Sequence, residues 1–270
     1  MSDAVISSVS NPLVKELRAL AKKQERDARG EFLCEGIQLV IQAVQSGAPI
    51  KMIAVAPDVL ASAAGREVVR QQERASTRIV RVTRAVFESF AERDNPSGLA
   101  AVVKLVPRGL DALPRADDAL FVALHQVSNP GNLGSILRTA DAVRASGVIV
   151  LGASTDLYAP ATVKASRGAL FTVPCVRVRA VQEFLEFAQT RALRIVTTSD
   201  AAEQDLWHAD LRAPLALLFG SEGEGLPPEL LRVGQAVRIP MFGKIDSLNL
   251  ASAASVLLYE AKRQEILRNG

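Results

Sequence analysis

The chain has 270 residues, with 49% hydrophobic and 23% charged residues and a mean hydropathy of +0.16. This composition is typical of globular proteins and excludes a disordered or fibrous chain, and the length suits one or two domains. The apolar runs are far shorter than the roughly 20 residues that cross a bilayer, and the N-terminus lacks the features of a secretory signal, so we expect no membrane association.

Residues 1–105 are predicted to form a smaller α/β domain. Hydrophobic periodicity predicts strands and helices in alternation: strands at 51–56, 78–82 and 99–105, and helices at 11–24, 37–47 and 84–92. The following stretch, 106–117, contains two prolines and a glycine without clear periodicity, which indicates a linker.

Residues 118–270 are predicted to form a larger α/β domain. Here the predicted elements are strands at 119–124, 147–152, 194–198 and 215–219, and helices at 133–145, 181–190 and 248–267. Apolar strands that alternate with helices indicate a parallel sheet covered on both faces. Such sheets bind ligands outside the carboxyl ends of their strands, so the loops after Leu124, Phe219 and Ile239 are candidate site loops.

The cysteines and histidines exclude several kinds of site. Cys34 and Cys175 lie far apart, which is neither a disulfide framework nor a metal-ligand spacing and fits a reducing cytoplasm. His125 and His208 are the only histidines, so we expect no metal, and neither has sequence partners that form a nucleophilic triad. Because only 4% of the residues are aromatic, we do not expect RNA to be bound on a row of stacked aromatic rings.

The net charge of +3 is concentrated near the N-terminus. Residues 1–105 hold 15 Lys and Arg against 12 Asp and Glu, whereas residues 106–270 hold 17 of each. The excess can be assigned to six basic residues: Lys15, Arg18, Lys22, Lys23, Arg26 and Arg29. This segment is either a docking surface for a polyanion or a solvated helix face with internal ion pairs, and charge alone favours the second interpretation.

The loop after Leu124 is polar and leads into a helix. Ser128 or Asn132 can cap that helix. Arg138 lies less than two turns beyond Asn132, where its guanidinium can contact a phosphate near the loop or form a surface ion pair.

The loop after Phe219 combines glycines with carboxylates. It reads Gly-Ser-Glu-Gly-Glu-Gly from Gly220 to Gly225, and the three glycines allow a ligand to approach the backbone closely. The segment matches neither the phosphate-binding loop nor the dinucleotide-binding pattern. Its negative charge favours a cationic or hydroxyl-bearing ligand over a triphosphate.

The loop after Ile239 is broken by proline and glycine and enters a long helix. Asp246 or Ser247 can cap this helix, but a cap does not explain the second polar residue, Asn249. Small residues at Ala251 and Ala253 let another backbone or a ligand come close to the helix.

Together the three loops resemble the SpoU (TrmH-type) family of RNA ribose methyltransferases, within the SPOUT class. The resemblance covers roughly residues 117–268 and rests on three motifs in order. The matching residues are Asn129, Pro130, Asn132, Gly134, Ile136, Arg138, Thr139 and Ala140; then Gly220, Glu222, Gly225 and Leu226; then Ile239, Pro240, Met241, Gly243, Ser247, Leu248 and Asn249. Leu250 and Ala251 depart mildly from the family pattern, which often has Val-Ser there.

The resemblance implies S-adenosylmethionine-dependent 2′-O-methylation of an RNA ribose by a homodimer whose parallel sheet carries a deep C-terminal trefoil knot. It assigns the catalytic roles to Asn132, Arg138, Glu222, Ser247 and Asn249. It assigns cofactor binding to Phe219, Gly220, Ile239, Met241 and Leu248. Residues 1–105 resemble the substrate-binding domain of rRNA-modifying members, which implies RNA contacts at Lys22, Lys23, Arg26 and Arg29 and favours 23S rRNA as the substrate.

Arg138 is better suited to orientation than to base catalysis. Lowering the pKa of an arginine from about 13 to about 7 costs roughly 8 kcal/mol, so we expect Arg138 to bind a phosphate and orient the hydroxyl. Two alternatives stay open: a tRNA substrate, or a non-catalytic RNA-binding or ribosome-assembly factor. The enzyme interpretation requires the three loops to meet at one cavity.

Overall fold

The computed structural model describes residues 5–91 and 96–269, which form two packing units. The first unit comprises Met1–Val106 together with Tyr158–Phe171, and the second comprises Pro107–Leu157 and Thr172–Gly270. The predicted domain at 118–270 differs from this division, because Tyr158–Phe171 packs with the first unit. The reason is aromatic packing, because the ring of Phe32 lies 4.9 Å from that of Tyr158 and 6.1 Å from that of Phe171.

The first unit is built on a mixed sheet. Its strands are β1 Glu31–Glu35, β2 Ile50–Val55, β3 Arg78–Arg81 and β4 Leu99–Lys104, and the described part of the sheet has the order β1-β4-β2-β3. β4 is antiparallel to both β1 and β2, whereas β2 and β3 are parallel. The helices before Val106 are α1 Pro12–Ala19, α2 Lys23–Arg29, α3 Ile37–Gln45, α4 Ala63–Arg74 and α5 Arg84–Glu88.

The predicted helix at 11–24 is confirmed as α1 but ends earlier, because the chain turns between α1 and α2. Asn11 caps α1 by accepting a hydrogen bond from the Leu13 amide at 2.9 Å. After α1 ends, the guanidinium of Arg26 donates to the carbonyls of Leu20 and Ala21, at 2.9 and 2.8 Å. Arg26 is only 3% exposed, so its charge is used within the fold to stabilise the turn.

The second unit contains the parallel sheet that the sequence predicted. Its described strands are β5 Leu120–His125, β6 Gly147–Leu151, β7 Cys175–Val178, β8 Arg194–Thr198, β9 Gln204–Asp205, β10 Leu215–Phe219 and β11 Gln235–Arg238. They are arranged in the order β7-β6-β5-β10-β8-β11-β9, and each neighbouring pair is parallel. The helices after Val106 are α6 Pro130–Ala142, α7 Pro160–Ser166, which packs in the first unit, α8 Val181–Thr190, α9 Pro228–Leu231 and α10 Leu250–Asn269.

The strand order determines where the loops lie. β10 is inserted between β5 and β8, so the loop after β10 emerges beside the loop after β5 although the two are about 95 residues apart. β5, β6 and β10 are buried along their whole length, which fixes them firmly under these loops. Leu110 and Leu113, in the predicted linker, pack against the core of this unit.

Elements with short or polar sequences were not predicted. β1 and α4 in the first unit, and β7, β9 and β11 in the second, lack a long apolar run. Their pairing with longer strands, or their packing against them, compensates for weak local preference. Within residues 5–91 and 96–269, no helix combines the length and the apolar character that a bilayer crossing requires.

Arg26→Ala is expected to destabilise the protein by about 2 kcal/mol, because the Leu20 and Ala21 carbonyls lose a charged donor. The matched control is Lys23→Ala, which removes only an exposed ion pair with Asp27 and is expected to change the free energy of unfolding by less than about 0.5 kcal/mol. Urea denaturation measures both changes. Equal losses in the two variants would contradict the structural role of Arg26.

Candidate active site

The carboxylate of Glu222 joins two of the three candidate loops of the second unit. Its Oε2 accepts hydrogen bonds from the backbone N–H and the hydroxyl of Ser128, both at 3.1 Å. Its Oε1 accepts from the backbone N–H of Asn129 and from Nδ2 of Asn132, also at 3.1 Å. The loop after β10 is thereby joined to the loop after β5 by four hydrogen bonds.

A second link extends this network to the third loop. Oδ1 of Asn132 accepts a hydrogen bond from Nδ2 of Asn249 at 3.1 Å, and Oδ1 of Asn249 accepts from the backbone N–H of Ala251 at 2.9 Å. The network ends at a carboxylate, which can only accept, and at a backbone N–H, which can only donate. These two ends fix the orientation of both side-chain amides between them. Three of the five predicted catalytic residues, Asn132, Glu222 and Asn249, therefore form one directed network.

The helix caps differ from those that the sequence predicted. Asn129 caps α6 by accepting from the N–H groups of Gly131 and Asn132, at 2.8 and 3.3 Å, so neither Ser128 nor Asn132 is the cap. The long C-terminal helix begins at Leu250, where Asn249 accepts from Ala251, so neither Asp246 nor Ser247 caps it. Asn249 thus both caps the helix and donates a hydrogen bond to Asn132. These two roles explain why a second polar residue follows Ser247.

The environment of Glu222 keeps its carboxylate ionised. Burial raises its pKa, but the donated hydrogen bonds from Ser128, Asn132 and Asn129 act in the opposite direction and together lower the pKa below the ordinary value of 4.5. A carboxylate with this pKa and four donors is a poor proton acceptor at neutral pH. Its geometry suits the positioning of Asn132.

Arg138 lies on the exposed face of α6, about 9 Å along the helix axis from Asn132. Within the part of the chain that the structure describes, its guanidinium has neither a hydrogen-bond acceptor nor an ion-pair partner. The neighbouring residue Thr139 bonds to Ser255 of α10 through their hydroxyls, 2.9 Å apart, which joins α6 to α10. Arg138 is thus carried by a fixed helix while its charge is available to an anion.

The loop after β10 closes into a small ring. Ser221 and Gly225 exchange backbone hydrogen bonds at 3.1 and 3.2 Å, and Gly225 has a positive φ of 68°. A Cβ on Gly220 would lie 2.0 Å from the carbonyl carbon of Gly225, so only glycine permits this closure. Gly220 therefore shapes the loop.

A cavity of about 360 Å³ opens between this ring and the third loop, which is within the size range of small-molecule sites. Four of the five predicted cofactor residues line it: Phe219, Ile239, Met241 and Leu248. Of the predicted catalytic residues, Glu222 and Ser247 also line it. Ala253 contributes from α10, where its small side chain leaves room.

The charge of the cavity wall indicates which ligands fit. Four carboxylates line it, those of Asp200, Glu222, Glu224 and Asp246, and the described wall contains no basic residue. Such a wall attracts a cation, including a sulfonium with an amino group, and repels a triphosphate. The apolar surfaces of Phe219, Ile239 and Leu248 suit an uncharged heteroaromatic ring.

One segment of this cavity was not predicted. Thr198, the last residue of β8, lines it together with Ser199 and Asp200 of the following loop. The polar residues Ser199 and Asp200 directly follow the predicted strand at 194–198, so the carboxyl-end rule also predicts this segment.

The four predicted RNA-contacting residues lie in the first unit, and the structure rules out Arg26 as an RNA contact. Lys22, Lys23 and Arg29 are exposed, with Lys23 paired to Asp27 and Arg29 to Glu25 at 3.2 Å. Arg26 is buried against backbone carbonyls and is not positioned to contact a phosphate. Among residues 5–91 and 96–269 no group of three or more His, Cys, Asp or Glu side chains is arranged to bind a metal.

Comparison with known proteins identifies both units. Residues 119–259 match the SpoU rRNA Methylase family, and residues 11–101 match the MRM3-like substrate binding domain. The chain is 34% identical over 253 residues to a 23S rRNA (uridine(2479)-2′-O)-methyltransferase of Streptomyces viridochromogenes, covering 92% of this chain and 88% of the relative. It is 33% identical over 205 residues to the 23S rRNA (guanosine-2′-O-)-methyltransferase RlmB of Ralstonia nicotianae, covering 74% and 82%.

Solved structures agree over nearly the whole chain. The AdoMet-bound rRNA methyltransferase from Sinorhizobium meliloti superposes with a TM-score of 0.87 at 35% identity, covering 96% of this chain and 97% of that one. The SpoU methyltransferase AviRb from Streptomyces viridochromogenes, in complex with AdoMet, also gives a TM-score of 0.87, at 33% identity with 95% and 98% covered.

Glu222→Gln is expected to lower the free energy of unfolding at neutral pH, because its amide N–H₂ would face donors instead of accepting from them. The folded-state pKa of Glu222 lies below its unfolded value, so its contribution is present above that unfolded pKa and is lost as the pH falls through the folded one. The stability difference between wild type and Glu222→Gln is therefore expected to be largest near pH 7 and to shrink below about pH 4.5.

Denaturation at a series of pH values measures this difference. Glu224→Gln is the control, because Glu224 lies in the same loop and its carboxylate accepts no hydrogen bond from the described residues. A difference that stays constant down to pH 3 would contradict the role of the Glu222 charge.

Proposed function

The chain belongs to the SpoU rRNA Methylase family, and we propose that it transfers the methyl group of S-adenosylmethionine to a ribose 2′-hydroxyl of 23S rRNA. The observation that carries the proposal is the hydrogen-bonded network around Glu222 and Asn132, which joins three separate loops beside a carboxylate-lined cavity. The enzyme class is supported by relatives and by the AdoMet-bound structures that this chain resembles over most of its length.

The cavity residues fit the cofactor. When bound, S-adenosylmethionine supplies an electrophilic methyl group on a sulfonium. Phe219, Ile239, Met241 and Leu248 would contact its apolar parts, and Gly220 would keep the loop backbone close to it. The cavity carboxylates would attract its positive charges.

The remaining residues act on the RNA. We assign to Arg138 the binding of an RNA phosphate and the orientation of the ribose hydroxyl, because its guanidinium is exposed and unpaired within the described residues. Asn132, held by Glu222 and Asn249, positions the polar floor beneath that hydroxyl. Ser247 is exposed at the cavity wall, where it can contact either substrate. Glu222 acts as a positioning residue, and the hydroxyl proton leaves to water or to phosphate.

The first unit supports 23S rRNA as the substrate. Residues 11–101 match a substrate binding domain, and the relatives that extend through this part of the chain include 23S rRNA methyltransferases. A solved structure concerned with C/U34 methylation on tRNA covers only 57% of the chain, at a TM-score of 0.53, so tRNA is the weaker substrate proposal. We assign the phosphate contacts of this unit to Lys22, Lys23 and Arg29.

We also propose a homodimer, a trefoil knot and a cytoplasmic location for this protein. A homodimer through α10 is supported by three apolar residues exposed on this helix, Tyr259, Ile266 and Leu267. The trefoil knot agrees with the parallel sheet and with the structural relatives. A cytoplasmic location agrees with two unpaired cysteines and with a ribosomal RNA substrate.

Transfer of labelled methyl from S-adenosylmethionine to total RNA tests the reaction. A 2′-O-methyl group blocks alkaline cleavage at its own linkage, so the label is expected in alkali-resistant dinucleotides derived from 23S rRNA. Arg138→Ala is expected to lower kcat about 100-fold or more, since a small misplacement of the reacting hydroxyl has effects of this size. Label on a base, or no transfer despite cofactor binding in calorimetry, would contradict the proposed reaction.

The RNA-binding assignment predicts a salt dependence. A triple variant is expected to weaken RNA binding; it combines Lys22→Gln, Lys23→Gln and Arg29→Gln. Because three phosphate contacts are lost, the slope of log K against log salt should become less steep by about 2. Arg74→Gln, an exposed arginine on α4, is the control and should leave the slope nearly unchanged. Filter binding over a range of salt concentrations measures the slopes, and a flat response in the wild type would contradict the assignment.

A further inference from the structure

A second cavity in the same unit is separate from the cofactor cavity and has no role in the mechanism above. It has a volume of about 520 Å³ and lies beyond the carboxyl end of β5. Six of its lining residues matter here: His125, Gln126, Leu226, Pro228, Glu224 and Glu229. Ser221, Glu224, Gly225 and Leu226 line both cavities, so the loop after β10 is a common wall between them.

The imidazole ring of His125 is available to bond a ligand in this cavity. It is 8% exposed, and its ring has no hydrogen-bond partner among the residues that the structure describes. Burial lowers its pKa below the ordinary value, and the carboxylate of Glu229 offsets this only in part, so the ring is neutral at physiological pH. A neutral imidazole has one donor and one acceptor nitrogen, so the ring of His125 can both donate a hydrogen bond to a ligand in this cavity and accept one from it.

The backbone next to His125 is strained at the same place. Gln126 has a positive φ of 53°, which is uncommon for a residue other than glycine. Its side chain is exposed and lines the cavity. Strain of this kind is typical of functional sites.

The lining selects the chemistry of the ligand. Glu224 and Glu229 can only accept hydrogen bonds and repel phosphate, whereas Leu226 and Pro228 offer apolar surface to a flat ring. Guanine presents two adjacent donors, N1–H and N2–H₂, which one carboxylate can accept together, beside the O6 acceptor that an amide or imidazole N–H can reach. Uracil has one donor on that edge, so it fits a carboxylate less well.

We propose that this cavity binds the base of the nucleotide whose ribose is methylated, and that it is built for guanine. The shared wall places such a base next to the cofactor cavity, and its ribose reaches the methyl group over the edge of the loop after β10. This inference rests on the proposed function for its biological meaning, but base binding itself can be measured without methyl transfer.

The test uses the two histidines as reporters. In the ¹⁵N-histidine-labelled full-length protein, guanosine is expected to shift the ring signals of His125 and to leave those of His208 unchanged; His208→Gln assigns the two sets. Inosine keeps N1–H but lacks the N2 amino group, and is expected to bind about tenfold more weakly, which is the loss of one hydrogen bond to a charged group. Uridine is expected to bind more weakly than guanosine.

Matched variants locate the binding. Glu229→Gln is expected to weaken guanosine binding about tenfold, whereas Glu186→Gln, an exposed glutamate on α8, should have no effect. Calorimetric binding of S-adenosylmethionine should be the same in wild type and Glu229→Gln, because Glu229 does not line the cofactor cavity.

Three outcomes would overturn the proposal: equal shifts of His125 by guanosine and uridine, no shift by any nucleoside, or unchanged guanosine binding in Glu229→Gln. Identification of the methylated nucleoside by mass spectrometry adds a second readout, for which 2′-O-methylguanosine is expected and 2′-O-methyluridine would overturn the proposal. If methyl transfer to ribose is observed together with any outcome that overturns guanine binding, the proposed function still stands. Guanosine binding without methyl transfer would leave the cavity assignment and remove the proposed function.

Discussion

The carboxylate of Glu222 is the constraint on which the site depends. It accepts hydrogen bonds from Ser128, Asn129 and Asn132 and so joins the loop after β10 to the loop after β5. Asn132 in turn accepts a hydrogen bond from Asn249, which adds the third loop. The acceptor-only carboxylate at one end and a donor-only backbone N–H at the other fix every side-chain amide between them. Such a network has one arrangement, which is the requirement for holding a hydroxyl in line with a methyl donor.

The unit also separates charge in a way that suits the proposed reaction. The cofactor cavity is lined by carboxylates and, in its described wall, by no basic residue. Arg138 is carried on α6 with its charge exposed, while the arginine of the first unit that is buried, Arg26, is bound to carbonyls. A cation and a polyanion can therefore be attracted to different surfaces without competing for the same groups.

The loop after β10 serves more than one purpose because it is a thin, closed ring. Gly220 allows the backbone to approach Gly225 closely, and the ring then has two faces. One face lines the cofactor cavity and the other lines the cavity that contains His125. A small change in this loop would thus affect both cavities, so the ligands proposed for them would be coupled through one structural element.

Much of this protein was predictable from sequence. The parallel sheet of the second unit follows from apolar strands that alternate with helices, and the three site loops follow from the carboxyl-end rule, because both depend on local patterns. Asn132, Glu222 and Asn249 were identified by motif. The resemblance also pointed to Arg138, which the structure leaves exposed on α6.

Only tertiary structure decided the remainder. The turn between α1 and α2 and the burial of Arg26 depend on two carbonyls that no periodicity reveals. The association of Tyr158–Phe171 with the first unit depends on rings more than 120 residues from Phe32 in sequence. The second cavity arises because β10 lies beside β5, which brings His125 next to Glu229. Local sequence determines which elements form, but contacts between distant residues, which depend on strand order, determine which side chains face one another.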